Sequence, residues 1–259
     1  MLAARGAIVW RQDHRYKYLR LGPFPLHIND KNKNEIFTLL HSHPRPYGQE
    51  SSVLSAFYMQ TRLTTLLERW IQAFANQTTR SGLILWDGSL AANTHETFSQ
   101  GMRELLKEAR NRQNTILAFS KMTQLFSNGH RITDLVWKHP PPCLLRIEDC
   151  PASMGSVHLF GNVYVTRLSG SNCSFRLDVD KELSDTQTVE AVQKLLGNEL
   201  ILHSYPETLR LAHIFSTFTA NEVLGMQRCI VKEGGVKIVS RPNVRRLLFG
   251  CFGKGPEGS

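Results

Sequence analysis

Cysteine is scarce in this chain. Five occur in 259 residues (Cys143, Cys150, Cys173, Cys229 and Cys251), none in a C-x-x-C pair, so neither a zinc knuckle nor a disulfide framework is specified. No apolar run approaches the ~18 residues that a bilayer-spanning helix needs. The N-terminus also lacks the basic-then-apolar layout of a secretory signal. The expected setting is therefore soluble, reducing and cytoplasmic, with no membrane. Internal repeats, low-complexity linkers and massed charge tails are missing too, which removes solenoids and disordered basic arms. One domain over residues 1–250, with a flexible tail at 251–259, is the expectation.

Negative charge is in short supply as well: 22 Asp+Glu against 31 Lys+Arg leave a formal net charge of +9. A basic excess favours polyanionic partners, nucleic acid first, because neutralised phosphates release counterions. Ordinary solvated surface charge is the other reading. Hydrophobic residues make up 41% of the chain, enough to bury one sizeable core or at most two small ones.

The segments 6–10 (GAIVW) and 16–21 (YKYLRL) are β-branched and aromatic, and the polar stretch 11–15 between them predicts a β-hairpin. Residues 22–49 read as loops. There His41 and His43 in HSHPRP have a spacing that suits a metal, but they sit in a Pro-rich polar surface loop. Val53, Phe57, Thr64, Leu67, Ile71 and Phe74 recur at helical steps and predict one long helix over 50–76, this stripe facing a sheet. A strand at 82–87, a helix from about 94 to 112 and a strand at 115–120 make a βαβ unit, so the two strands should be parallel neighbours. Strand candidates follow in CLLRIE, SVHLFGNVYVTRLS and CSFRLDV, then a helix over 186–196 and a helical run reaching about residue 231.

Within this frame, LWDGSLAAN (85–93) delivers one carboxylate, Asp87, to the mouth of a buried-looking strand. Ligands of open α/β sheets sit beyond the carboxyl ends of parallel strands. Asp87 is therefore either a site residue or a cap for the turn or the next helix. Glu68 lies on the border of the long helix's apolar stripe, as a snorkelling edge residue or an inward-facing ligand. Two carboxylates meeting at a sheet edge repel, and a divalent cation relieves that repulsion. In YPETLRLAH, Tyr205 and His213 lie two helical turns apart, with Leu209 between them and Pro206 suited to a first helical turn. They could share one face at a site, or make ordinary core hydrogen bonds.

Three segments in this order resemble the NurA nuclease family, DNA end-processing nucleases that work with the HerA hexameric ATPase. They are the helix acid followed by LILWDGSL, the strand ending in AFSK, and YPETLRLAH, together covering about residues 50–240. The resemblance implies an RNase H-like α/β fold, a mixed sheet flanked by helices, with an acidic centre dependent on Mn²⁺ or Mg²⁺. It implies metal ligation by Asp87, Glu68 and His213, and catalytic roles for all three and for Tyr205. By position Lys121 would contact DNA phosphate, with an ordinary surface lysine as the alternative.

The family's first, central strand carries an earlier Asp-Gly-Ser motif, and no Asp-Gly pair precedes Asp87 here; Asp13 and Asp30 fall in polar turns. The expectation is a chain truncated at the N-terminus and lacking that first strand, or a shortened member, with neighbouring strands left unpaired. The implied function is metal-dependent cleavage of DNA, single strands and ends above all, by a homodimer docked on a HerA-like ATPase. Its rival is a catalytically inactive adaptor that keeps the DNA and partner surfaces. An unrelated RNase H-like RNA-binding domain of Piwi type predicts no Tyr-Pro…Ala-His element.

Overall fold

The computed structural model describes residues 2–26, 31–32, 52–93, 96–123, 125–127, 129–148, 153–154 and 157–235, and of residues 52–58, 93, 96–98 and 153–154 the backbone alone. The HSHPRP loop and the tail at 251–259 lie outside these residues. The chain divides into two compact units, 1–217 and 218–259.

The first unit begins with the expected hairpin, β1 (Leu2–Gln12) and β2 (Arg15–Leu26), paired antiparallel up to Gln12 and Arg15. Its two-residue turn puts Asp13 and His14 at positive φ, 51° and 60°, which matches the twist of antiparallel strands. Helix α1 (Ser52–Thr78) packs on β1, and the register shifts between Ala4 and Gly6. Gly6 permits the close approach, since a Cβ there would lie 1.9 Å from Ile71 Cδ1.

Met59 and Leu67 are buried along α1, and Ala75 joins the core beyond them. The seam therefore runs at four-residue steps, and the expected stripe is corrected at one point. Phe74 is one position off that seam and stays exposed, as do Leu66 and Trp70 on the same side. Val53 and Phe57 belong to the part of the helix known by its backbone alone.

The chain continues through β3 (Leu83–Asp87), β4 (Ala91–Asn93), α2 (Glu96–Asn111) and β5 (Thr115–Ser120). Next come the short β6 (Phe126–Ser127) and β7 (His130–Arg131), a 3-10 helix over Ile132–Lys138, and β8 (Cys143–Arg146). They are followed by β9 (Ser153–Met154), β10 (Val157–Leu159), β11 (Gly161–Arg167) and β12 (Phe175–Asp180). The unit closes with α3 (Asp185–Asn198), β13 (Ile201–Leu202), β14 (Tyr205–Pro206) and α4 (Glu207–Ser216).

The main sheet is mixed, in the order β3-β5-β12-β11-β8. Strands β3 and β5 are the expected parallel neighbours, with Asp87 opposite Phe119, and the remaining pairs are antiparallel. Among the described residues β5, β12 and β11 are each paired on both edges of this sheet, and β3 and β8 on one.

Both faces of the sheet are covered, which explains the continuous apolar runs LILW and ILAF. On one face Leu117, Phe119, Tyr164, Leu177 and Val179 pack against Ala191, Val192 and Leu195 of α3 and Leu209 of α4. On the other, Ile84, Trp86, Ile116 and Ala118 meet Met102, Leu106 and Ala109 of α2. On that same face Leu125, Ile132 and Val136 lie over Val163 and Val165. Asn114 and Asn76, both buried, bond to one another and to Leu105 O, Thr79 O and Gly82 N, joining the ends of α1 and α2 to the start of β3.

The hairpin docks on the far side. Tyr18 stacks on Phe215 at 4.3 Å, Arg20 donates to Phe215 O, and Tyr16 donates to Glu199 Oε1 at 2.8 Å. Burial together with that carboxylate pushes the Tyr16 phenol up to about 12. Tyr16→Phe keeps the ring and removes one such bond. It is expected to lower the unfolding free energy by about 1 kcal/mol, seen as a lower urea midpoint with the m-value unchanged.

The helical run expected to about residue 231 is broken into two. Helix α4 stops at Ser216, and the second unit contains α5 (Ala220–Gly234). Thr219 and Glu222 form a capping box at its start, and Gly235 in the left-handed region ends it.

Candidate functional site around Asp87

Asp87 is the last residue of β3, and the parallel register makes that end of the sheet a place where side chains leave the core. Gly88 turns the chain at φ 139°, a conformation that favours glycine. Its N–H donates to Phe119 O at 2.8 Å and its carbonyl accepts from Ser120 Oγ at 2.9 Å. The turn is thus bolted to β5. It is held a second time further on, where Leu90 N–H donates to the buried Asp178 Oδ2 at 2.9 Å and Leu90 O accepts from Phe160 N–H. Asp178 is itself gripped by Arg176 through two bonds of 2.6 Å.

The half-buried Asp87 carboxylate is a meeting point for three side chains distant in sequence. Tyr205 donates to Oδ1 at 3.1 Å. Lys121, leaving the end of β5, donates to Oδ2 at 2.7 Å. His213 Nδ1 lies 3.6 Å from Oδ2, on a largely exposed ring.

Tyr205 and His213 do converge, but not as residues of one helical face. Tyr205 lies in β14, before the helix, and Pro206 precedes the first helical residue with φ −65° and ψ 130°. Leu209 fills the core behind them. Burial first, and the Asp87 charge second, raise the Tyr205 pKa far above the ordinary tyrosine value. Its ring is held edge-on by Phe119 and lies under the Lys121 ammonium at 5.5 Å. Tyr205 is therefore a fixed donor, not a base.

Glu68 remains exposed on α1, yet desolvation of its carboxyl raises its pKa. Arg69 opposes that shift, and the Asp87 charge adds to it. Next to Glu68, Arg69 reaches Ala91 O at 3.2 Å and Gln72 at 3.0 Å, tying α1 to the strand after the Asp87 turn. Among the described residues, no group of three or more His, Cys, Asp or Glu side chains is arranged to hold a metal ion. Hard divalent ions need fewer: Mg²⁺ is commonly bound by one or two carboxylates and completes its shell with water and substrate phosphate. Asp87 would be one such carboxylate, and Glu68, whose raised pKa includes a small contribution from the Asp87 charge, a second.

Sequence reasoning placed Lys121 as a phosphate contact and missed it as the Asp87 partner. It also missed Ser120, Arg176 and Asp178. The signal for the last two was present in FRLDVD, where opposite charges at i and i+2 share one strand face.

No protein-family model and no curated protein sequence matches the chain. Among solved structures, the crystal structure of the NurA nuclease from Sulfolobus solfataricus aligns with it at 12% identity and a TM-score of 0.38. The alignment covers 92% of this chain and 85% of that one. A likeness this weak establishes no family. No helix among the described residues is long and apolar enough to cross a membrane.

Proposed function

We propose that the protein is a divalent-metal-dependent DNA nuclease of NurA type, acting on single strands and ends during DNA end processing and break repair. One observation carries the reading: Tyr205, Lys121 and His213, from three separate elements, gather on Asp87 at the end of a parallel strand. The net charge of +9 suits a polyanionic substrate. The resemblance of LILWDGSL, AFSK and YPETLRLAH to the family's motifs supports the choice of reaction. The same resemblance suggests a homodimer working beside a HerA-type ATPase, and the sparse, unpaired cysteines suggest a cytoplasmic setting.

Asp87 and Glu68 would hold Mn²⁺ or Mg²⁺, with His213 beside them. The chemistry supplied by the bound ion is Lewis-acid stabilisation of phosphoryl charge and a water of lowered pKa. Tyr205, kept protonated by its surroundings, fixes the Asp87 carboxylate and donates only. Lys121 holds Asp87 in the free protein and stands within reach of an arriving phosphate. His213, exposed at the rim, can take up or return the proton that the attacking water loses.

Glu68 supplies the test. Only its ionised form attracts a cation, so Mn²⁺-dependent cleavage of a single strand should fall with acid at a pH above the ordinary glutamate range. For stability the sign is opposite. A carboxyl whose folded-state pKa is raised stabilises the fold below its usual pKa, and that contribution is lost as pH rises through the raised value. Glu68→Gln should therefore raise the melting temperature slightly at neutral pH while reducing cleavage by more than about 100-fold, beyond what loss of an outer-shell partner costs. Unchanged cleavage would remove Glu68 from the centre.

The second reading, an inactive DNA- and partner-binding adaptor, is favoured by the absence of a three-ligand group among the described residues. It predicts DNA binding by the wild-type chain with no Mn²⁺-dependent cleavage.

A further inference from the structure

After Lys121 the chain does not return directly to the sheet. Residues 121–140 carry three Lys or Arg and two His against one acid, Asp134, and this basic stretch is interleaved with exposed apolar side chains. Met122 is 91% exposed, Phe126 60% and Trp137 40%. These are large rings and a thioether turned to solvent on a segment that is otherwise firmly anchored. Leu125, Ile132 and Val136 are buried against Val163 and Val165, Ile132 N–H donates to Leu125 O, and Ser174 Oγ donates to Thr133 O. Exposure here is not a consequence of loose packing.

The register of the sheet fixes where this segment lies. Asp87 is opposite Phe119, Ser120 is opposite Arg176, and Phe175 is opposite Thr166, which directly precedes Arg167. Arg167 is therefore at the same end of the sheet as Asp87, three strands across and three residues beyond the row that Asp87 shares with Tyr164, roughly 17 Å away at the usual strand spacing and rise. Its guanidinium lies 4.9 Å from the centre of the Trp137 ring. A second cation–aromatic pair, Lys121 over Tyr205, stands beside Asp87. Phe126 and Arg131 are paired across the β6–β7 hairpin, and Lys138 follows Trp137, all four exposed.

We infer that this row, from Lys121 through Phe126, Arg131, Trp137 and Lys138, is a binding surface for single-stranded nucleic acid leading into the Asp87 site. Unstacked bases lie against Phe126 and Trp137, and the cations between them meet the phosphates. Surfaces for single strands combine these two elements, aromatic platforms and a positive track. The charge decides against a purely apolar protein partner, and the exposed Phe126 and Trp137 rings, the latter beside the Arg167 guanidinium, decide against a plain ionic patch. The assignment of DNA as the strand, and of Asp87 as its destination, rests on the proposed nuclease reading; the surface itself does not.

The test uses the full chain in EDTA, where no cleavage occurs, with a fluorescent oligo-dT strand, the matching duplex and anionic vesicles as probes. Phe126→Ala should weaken binding of the single strand by about tenfold or more with the salt slope kept. Lys138→Ala should lower that slope by about one counterion. Duplex binding should respond to Lys138→Ala and not to Phe126→Ala, because bases paired inside a duplex offer no free face. Single-strand affinity unchanged in both variants, or a loss confined to the vesicles, overturns the surface. So does a wild-type chain that binds no oligonucleotide. If the variants lose binding as described while the wild type with Mn²⁺ cleaves nothing, the surface stands and the nuclease reading fails. If cleavage depends on Asp87 while both variants bind normally, the nuclease reading stands and the surface fails.

Discussion

Replacing Asp178 with alanine is expected to cost the fold about 3–5 kcal/mol, the usual penalty for breaking a buried ion pair from one side. Arg176 and Asp178 are both buried, and the carboxylate takes two 2.6 Å bonds from the guanidinium and one from Leu90 N–H. Truncation leaves a buried cation without its anion and an amide without its acceptor, and neither can reach water at little cost. For a chain of this size the melting temperature should fall by roughly 10 °C. Asp178→Asn keeps an acceptor for Leu90 and should cost less. Because Leu90 closes the turn that begins at Asp87, the alanine variant should also blur the Asp87 site. A shift within ~0.5 kcal/mol, as for a surface substitution, would show that the pair does not hold the turn.

The elements that the sequence predicts best are those whose signal is local. The GAIVW and YKYLRL hairpin, the strand ending at Asp87 and the parallel strand at 115–120 follow from period and run length, and each lies where expected. Phe74 was misplaced because a seam at four-residue steps drifts around a helix of 27 residues, a drift that the stripe of mixed three- and four-residue steps does not register. The break between α4 and α5 was legible in TANE, a capping box, but the apolar period runs on across it. Tyr205 was placed on a helix because proline after it resembles a first turn; pairing with β13 instead holds it in a short strand.

Of the candidate site, Asp87, Tyr205 and His213 were readable from motif and resemblance, and they meet. Lys121 as the Asp87 partner depends on the parallel register of β3 and β5. The Asp178 grip on Leu90 spans 88 residues. No local pattern encodes either.

Asp87→Asn is the larger functional prediction. Asparagine keeps the side-chain shape and an oxygen for the Tyr205 hydroxyl, so the buried phenol is not stranded and the fold should be preserved. It removes the negative charge that faces Lys121 and His213, and with it the attraction that the proposed divalent ion would feel. Loss of an outer-shell partner of a metal costs about 10–100-fold, and loss of a charged ligand should exceed that. DNA affinity should not fall, since the change removes a negative charge beside Lys121 and leaves the basic surface intact.

The decisive measurement is therefore the rate at which a labelled single strand is cut in Mn²⁺ by the wild-type chain and by Asp87→Asn, with strand affinity recorded for both in EDTA. The account predicts cutting by the wild type, a fall of more than about 100-fold in the variant, and affinities that agree. Cutting that survives Asp87→Asn, or a wild-type chain that binds the strand and never cuts it, would contradict it.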